Sequence, residues 1–268
     1  DLVTGDGQPT RYVIDFQGRY IVHAQSYVRP FEHIKISVLP ERERKAQEGK
    51  TADGELRPHH QLFLKYWWRQ AYDRADMISA ISKINRYVVC SAHTKRPIFN
   101  FVSKEIRPDH ALIVFVFEDD YSFGVLQSSA HWLWFATKCS KLEERFRYTP
   151  DAVFDTFPWP QAPTAKQIEA VAAAGCEVRR VRDEALQNLK GGLRALYRTL
   201  ELPGANPLKD AHAAYGFDAN KDLLAQLLAL NLEVANRIED GDQVTAPGVP
   251  KDYRGDLVTE DCIRPPAG

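Results

Sequence analysis

The stretch KLEERFRYTPDAVFDTFPWPQ, residues 141–161, changes character at its middle. It begins with Glu143, Arg145 and Arg147 set among Leu142, Phe146 and Tyr148, and closes on Phe157, Pro158, Trp159 and Pro160. In an extended chain successive side chains point to opposite faces. Glu143, Arg145 and Arg147 then share one face, while Phe146 and Tyr148 anchor the other. Arginine forks onto guanine N7 and O6 in the DNA major groove, and a carboxylate accepts from cytosine N4. The same side chains also fit a weak surface ion pair. The residues alone leave both readings open.

Working outward, the segments 11–16 (RYVIDF), 86–91 (RYVVCS), 97–102 (PIFNFV) and 111–118 (ALIVFVFE) are short and rich in β-branched and aromatic residues. They are expected to be strands. Residues 61–82 carry apolar side chains at helical spacing, and 128–142 (SSAHWLWFATKCSKL) open with serines able to cap backbone N–H groups. Both are expected helices. The charged run 41–56 reads as a solvated helix end followed by a loop. Prolines in 157–167 fix φ and lack an N–H, which makes that segment stiff and extended and places a boundary there. Beyond it, three helical stretches precede a Pro- and Gly-rich tail from about Gly241. That tail is expected to be surface loop or poorly ordered. The expected organisation is α+β: a mixed α/β domain over 1–160 and an all-helical segment over 161–268.

Composition narrows the function classes. With 268 residues and 44% apolar content, the chain can bury a sizeable core. It has no long uncharged apolar run for a membrane and no signal-peptide pattern. Its four scattered cysteines lack metal-ligand spacing, which points to a reduced, cytoplasmic protein. The first residue is Asp and the only methionine is Met77, the expectation for a piece of a longer protein. Residues 1–150 hold 22 Lys and Arg against 18 Asp and Glu, a balance of +4; the remaining 13 against 18 give −5. A polyanion would prefer the first part.

Catalytic signatures are absent from the sequence: it contains no phosphate-cradling glycine loop, no nucleophile elbow, no HExxH and no Asn-Pro-Pro-aromatic loop. A metal nuclease built on Asp15, Glu48 and Lys50 matches by letters, but a soft polar loop is a poor holder of ligands. Lys83, Arg86, Lys95, Arg96, Lys104 and Arg107 interleave with the expected strands, and Lys95-Arg96 occupy a turn that can reach phosphates or base edges. Charge that merely solubilises a sheet is the competing reading. The five tryptophans, Trp67, Trp68, Trp132, Trp134 and Trp159, read as core and hinge aromatics.

RYVIDFQG, PFEHIKISVLPERERKA, YWWR, ISKINRYVVCS, RPDHALIVFVFEDDYSFGVLQSSAHWLW, KLEERFRYTPDAVFDTFPWPQAP and AAYGF occur in that order. Together they resemble the C-terminal portion of restriction-modification enzymes of the MmeI type, adenine-N6 DNA methyltransferases that use S-adenosylmethionine. The resemblance implies a DNA target-recognition domain followed by a helical segment. It implies no cofactor in this fragment, S-adenosylmethionine in the parent's missing catalytic domain, and double-stranded DNA and that methyltransferase domain as partners. Glu143 and Arg145 are implied as specificity residues and Arg147 as a neighbouring contact. Ser128, Ser129 and His131 are implied near the DNA, with Lys141, Lys95 and Arg96 completing the expected DNA-binding set. A second class of function, a protein-docking module in which the acidic part 151–268 receives a partner subunit, is motivated by charge.

Overall fold

The computed structural model describes residues 2, 9–72, 74–142, 145–188, 192–193, 197 and 221–255. Two compact units emerge, Arg11–Ser79 and a larger one formed by Asp1–Thr10 with Ala80–Gly268. These units do not coincide with the segments 1–160 and 161–268.

The smaller unit is helical: α1 (Ile21–Gln25), α2 (Val28–Ser37), α3 (Leu39–Glu48), α4 (Pro58–Lys65) and the start of α5 (Ala75–Ser82). Its core is Phe16, Ala24, Phe31 and Ile34, with Trp67 and Trp68 packed against them. Two expectations fail here. Residues 11–16 form no strand, because side chains rather than a neighbouring strand satisfy this stretch and the turn after it. Gln70 donates to the Ile14 carbonyl at 3.3 Å, and Trp68 Nε1 and Arg69 Nε donate to the Arg19 carbonyl at 3.0 and 3.1 Å. The single helix expected over 61–82 is broken between Lys65 and Ala75. Tertiary packing overrides propensity: Trp67 meets Phe31 with ring centroids 5.2 Å apart, and Arg74 takes a positive φ of 50° before α5 starts.

The larger unit is built on β1 (Arg86–Ser91), which lies between β2 (Asn100–Ser103) and β3 (Leu112–Phe115), antiparallel to both. Tyr87 through Cys90 are all fully buried, so both faces of β1 are covered, as a central strand of β-branched residues requires. Helix α6 (Asp120–Gln127) is buried along its whole length; the Asp119 carboxylate caps it by accepting the Ser122 N–H at 2.6 Å. Helix α7 (Ser129–Lys138) follows, then the hairpin β4 (Ser140–Leu142) and β5 (Arg145–Arg147), and the single turn α8 (Pro150–Val153). The helix expected over 128–142 is therefore shorter, and Lys141 lies on a strand.

The proline-rich segment is extended, but it divides nothing. Phe157 and Trp159 are buried, with Trp159 against Phe117 at 5.7 Å, and the chain runs on into α9 (Ala165–Asn188) and later α10 (Leu223–Glu239). Ile168, Val171 and Val178 of α9 and Leu227 of α10 share one core with Val88, Phe99 and Trp134. Helices α6 and α9 cross where both have a glycine. A Cβ on Gly124 would meet the Val171 carbonyl at 2.7 Å, and one on Gly175 the Asp120 carbonyl at 2.7 Å. The described part of the tail, 241–255, is loop, docked by a reciprocal pair between Gln161 and Thr245 (2.9 and 3.2 Å) and by Val249 and Tyr253 against the core.

Asp120 is fully buried and bound by two arginines, Arg86 Nη2 to Oδ2 at 3.1 Å and Arg179 Nε to Oδ1 at 3.0 Å. Arg86 also donates to the Glu118 carbonyl at 3.0 Å and lies over Phe101. Arg86 is thus a structural cation, and its expected place among exposed DNA contacts is corrected.

Removing one partner of such a network leaves buried charge uncompensated. Asp120→Ala is expected to lower the unfolding free energy by about 3–5 kcal/mol in urea denaturation. Gly175→Ala, which forces a backbone carbonyl aside, is expected to cost about 1–3 kcal/mol in the same assay.

Candidate nucleic-acid interface

Tyr148, just after β5, is fully buried. Its ring stacks on Phe135 at 5.7 Å, and its hydroxyl shares a 3.0 Å hydrogen bond with His131 Nε2. With Tyr148 turned inward, alternation turns Arg147 outward, and Arg147 is exposed. The Tyr148 N–H donates to the Ala92 carbonyl at 2.8 Å and the Thr94 N–H to the Phe146 carbonyl at 3.2 Å. These bonds bridge residues 92–94 to the free side of β5 and set His93 opposite Arg147. On its other side Arg147 pairs with Ser140. Cross-strand partners share a face, so Ser140, Arg147 and His93 form one row, and all three are exposed.

The turn after this row is held by Thr94, whose hydroxyl donates to the Arg96 carbonyl and accepts the Arg96 N–H at 3.2 Å. Lys95 is exposed beside the row. Arg96 is half-buried, its guanidinium 4.7 Å from the ring centroid of Trp132, which is 37% exposed. A guanidinium over an indole is attracted by the ring and loses conformational freedom.

The expected contact residues separate into groups. Arg147, Lys95 and Arg96 come together at this end of the sheet. Lys141 and Arg145 belong to β4 and β5, with Arg145 paired to Leu142 in the register. Glu143 lies outside the described residues. Ser128 and His131 are fully buried, which corrects their expected approach to DNA. Ser128 caps α7 by accepting the His131 N–H at 3.2 Å, and the His131 ring packs among Phe99, Phe157 and Tyr148. Ser129 is half-buried at the first position of α7. Lys83 and Lys104 are exposed at the opposite end, where Arg86 pairs with Ser103, roughly 17 Å of strand away. The basic residues therefore do not form one edge.

His93 lies in the loop 93–97 expected to reach the major groove, but neither it nor Ser140 is singled out by the sequence, since only the register of 92–94 on β5 and of β4 on β5 brings them to Arg147. Trp132 is expected as a core or hinge aromatic, and its partial exposure under Arg96 corrects that. In the smaller unit, Glu48 ends α3 in an exposed pair with Arg44 at 2.8 Å, and Asp15 accepts the Gln17 N–H at 2.9 Å. Among the described residues no group of three His, Cys, Asp or Glu is placed to hold a metal ion, and no helix is long and apolar enough to cross a membrane.

Burial pushes the His131 pKa down to about 3, outweighing a backbone hydrogen bond to Leu126. The unfolded chain protonates this imidazole near its ordinary value of about 6.5, so between these limits the unfolded state binds more protons. The stability His131 contributes is full above about pH 6.5 and is lost as pH falls toward 3. Unfolding free energy should decline by up to about 1.4 kcal/mol per pH unit across this window. His131→Asn should flatten that slope when urea denaturation is repeated from pH 7 to 4.

Residues 76–161 match the family model described as MmeI, target recognition domain. The match runs from α5 through the Pro-Trp-Pro segment and includes the whole exposed row. No curated protein matches the chain. Among solved structures, the chain is similar to that of the type IIL restriction-modification enzyme MmeI in complex with DNA, with a TM-score of 0.61 and 20% identity. The likeness covers 83% of this chain and 28% of that one, so the chain spans less than a third of the solved relative. The resemblance read from the sequence is borne out: residues 76–161 carry the match to the MmeI target recognition domain, within a fold shared over most of the chain.

Proposed function

We propose that this chain is the DNA sequence-recognition module of a restriction-modification enzyme, reading the major groove with the β4–β5 hairpin and the turn 92–96. The observation that carries the reading is the exposed row Ser140, Arg147 and His93, flanked by Lys95 and by Arg96 on Trp132, inside the segment that matches a target recognition domain. Glu143, Arg145 and Arg147 supply base-reading chemistry, while Lys95 and Arg96 bring charge to phosphates.

The reaction served is methylation of an adenine, flipped from the duplex into a catalytic domain that precedes this module in the parent and holds S-adenosylmethionine. The chain has neither the glycine-rich strand end nor the Asn-Pro-Pro-aromatic loop such chemistry uses, so its own residues do not fit that cofactor. The same catalytic domain is the partner proposed for the smaller unit, which exposes Tyr12, Tyr20, Val22, Val28 and Ile36. Apolar side chains exposed in such number suit a covering protein surface. Buried thiols at Cys90 and Cys139 accord with work in a reducing cytoplasm.

Selection of duplexes from a randomised pool tests the reading on the chain itself. Arg145→Ala is expected to weaken one base preference by about 1–3 kcal/mol, whereas Lys95→Ala should weaken all sequences alike and reduce the salt slope by about 1. Binding without sequence preference, or no binding even at low salt, would remove the recognition role and favour a protein-docking module.

A further inference from the structure

Building on that reading, we infer that His93 is a base-reading side chain that works as a pair with Arg147. The bridge between them is the non-hydrogen-bonded kind. The flanking bonds are Thr94 N–H to the Phe146 carbonyl and Tyr148 N–H to the Ala92 carbonyl, and none links His93 to Arg147 directly. In such a pair the strands approach most closely and side chains stand about 4.5–5.5 Å apart at Cβ. Successive base pairs are stacked about 3.4 Å apart along a strand. Two side chains at that spacing therefore reach the same base pair or adjacent ones.

The register leaves His93 no alternative face. Ala92 and Tyr148 on either side of the pair are buried, so His93 and Arg147 must both project outward. Each end of the small ribbon is fixed independently of the His93 side chain: Ala92 also donates to the Ala111 carbonyl at 2.8 Å, and Thr94 holds the following turn. The imidazole thus stands on rigid backbone, as a reading group requires. In its neutral form the ring offers one N–H donor and one lone pair. It can therefore donate to guanine N7 or O6 or thymine O4, or accept from the amino group of adenine or cytosine. Permanent positive charge lies beyond it, on Lys95 and Arg96, where phosphates are the natural partners.

The test is selection from a randomised duplex pool by the wild-type chain, His93→Ala, His93→Gln and Arg147→Ala, with affinities measured across a salt series. His93→Ala is expected to lose roughly ten-fold discrimination at one base pair, the same as or adjacent to the one affected by Arg147→Ala, with an unchanged salt slope. His93→Gln, which keeps a donor and an acceptor, should retain or redirect the preference at that base pair and serves as the folded control. A uniform loss of affinity with a shallower slope would make His93 a phosphate contact and overturn the inference. So would a preference unchanged in both His93 variants. Absence of any preference in the wild-type chain would instead bring down the recognition function itself, and the role of His93 with it.

Discussion

One buried carboxylate organises the larger unit. Asp120 at the start of α6 is fully buried and holds Arg86 of β1 with one oxygen and Arg179 of α9 with the other. A lone buried charge would be intolerable, and an ion network of this kind is stable only when its geometry is fixed. Sheet, buried helix and long C-terminal helix are therefore joined at one point, and the paired glycines Gly124 and Gly175 let the two helices close onto it. For this reason α9 belongs to the same core as the strands, although by texture it reads as an appendage. Fixing the start of β1 also fixes its far end, where the turn 92–96 emerges.

A second layer of constraint carries that geometry to the surface. His131 and Tyr148 share a hydrogen bond inside an aromatic shell of Phe99, Phe115, Phe135 and Phe157. Burial holds the imidazole unprotonated, so the pair can sit in the core without a counter-charge. Tyr148 in turn sets the phase of β5. One residue before it, Arg147 has no inward option, because a slip of one position would drive a guanidinium into the aromatic shell and put Tyr148 in water.

Much of this was legible in the sequence, and the failures have physical causes. The β-branched run 86–91, the serine cap at 128 and the alternating hairpin residues are local signals, and each became the element it resembled. The segment 11–16 is rich in β-branched and aromatic residues as a strand is, yet the side chains of Trp68, Arg69 and Gln70 satisfy this region's carbonyls in place of a partner strand. Residues 61–82 keep helical spacing, but Trp67 and Trp68 gain more from the small core than the helix gains from continuity. Arg86 and His131 looked like surface chemistry because composition does not report burial. His93 could not be singled out from sequence, since its relation to Arg147 exists only through the pairing of segments more than fifty residues apart.

Along β5 the inward positions hold the fold and the outward position Arg147 is exposed. Stability at this edge comes from the inward positions, Phe146 half-buried against Phe135 and Tyr148 fully buried, and from backbone bonds to Ala92 and Thr94. Outward positions contribute exposed side chains, whose replacement away from caps and networks usually moves stability by less than about 0.5 kcal/mol. The same replacement at a base edge changes discrimination by about 1–3 kcal/mol. Because the two faces of the strand are separate, replacing Arg147 is expected to leave the core that presents it undisturbed. The Arg96–Trp132 stack departs from this separation: it ties a cation of the turn to α7, so a substitution at either member changes both the scaffold and the charge it offers.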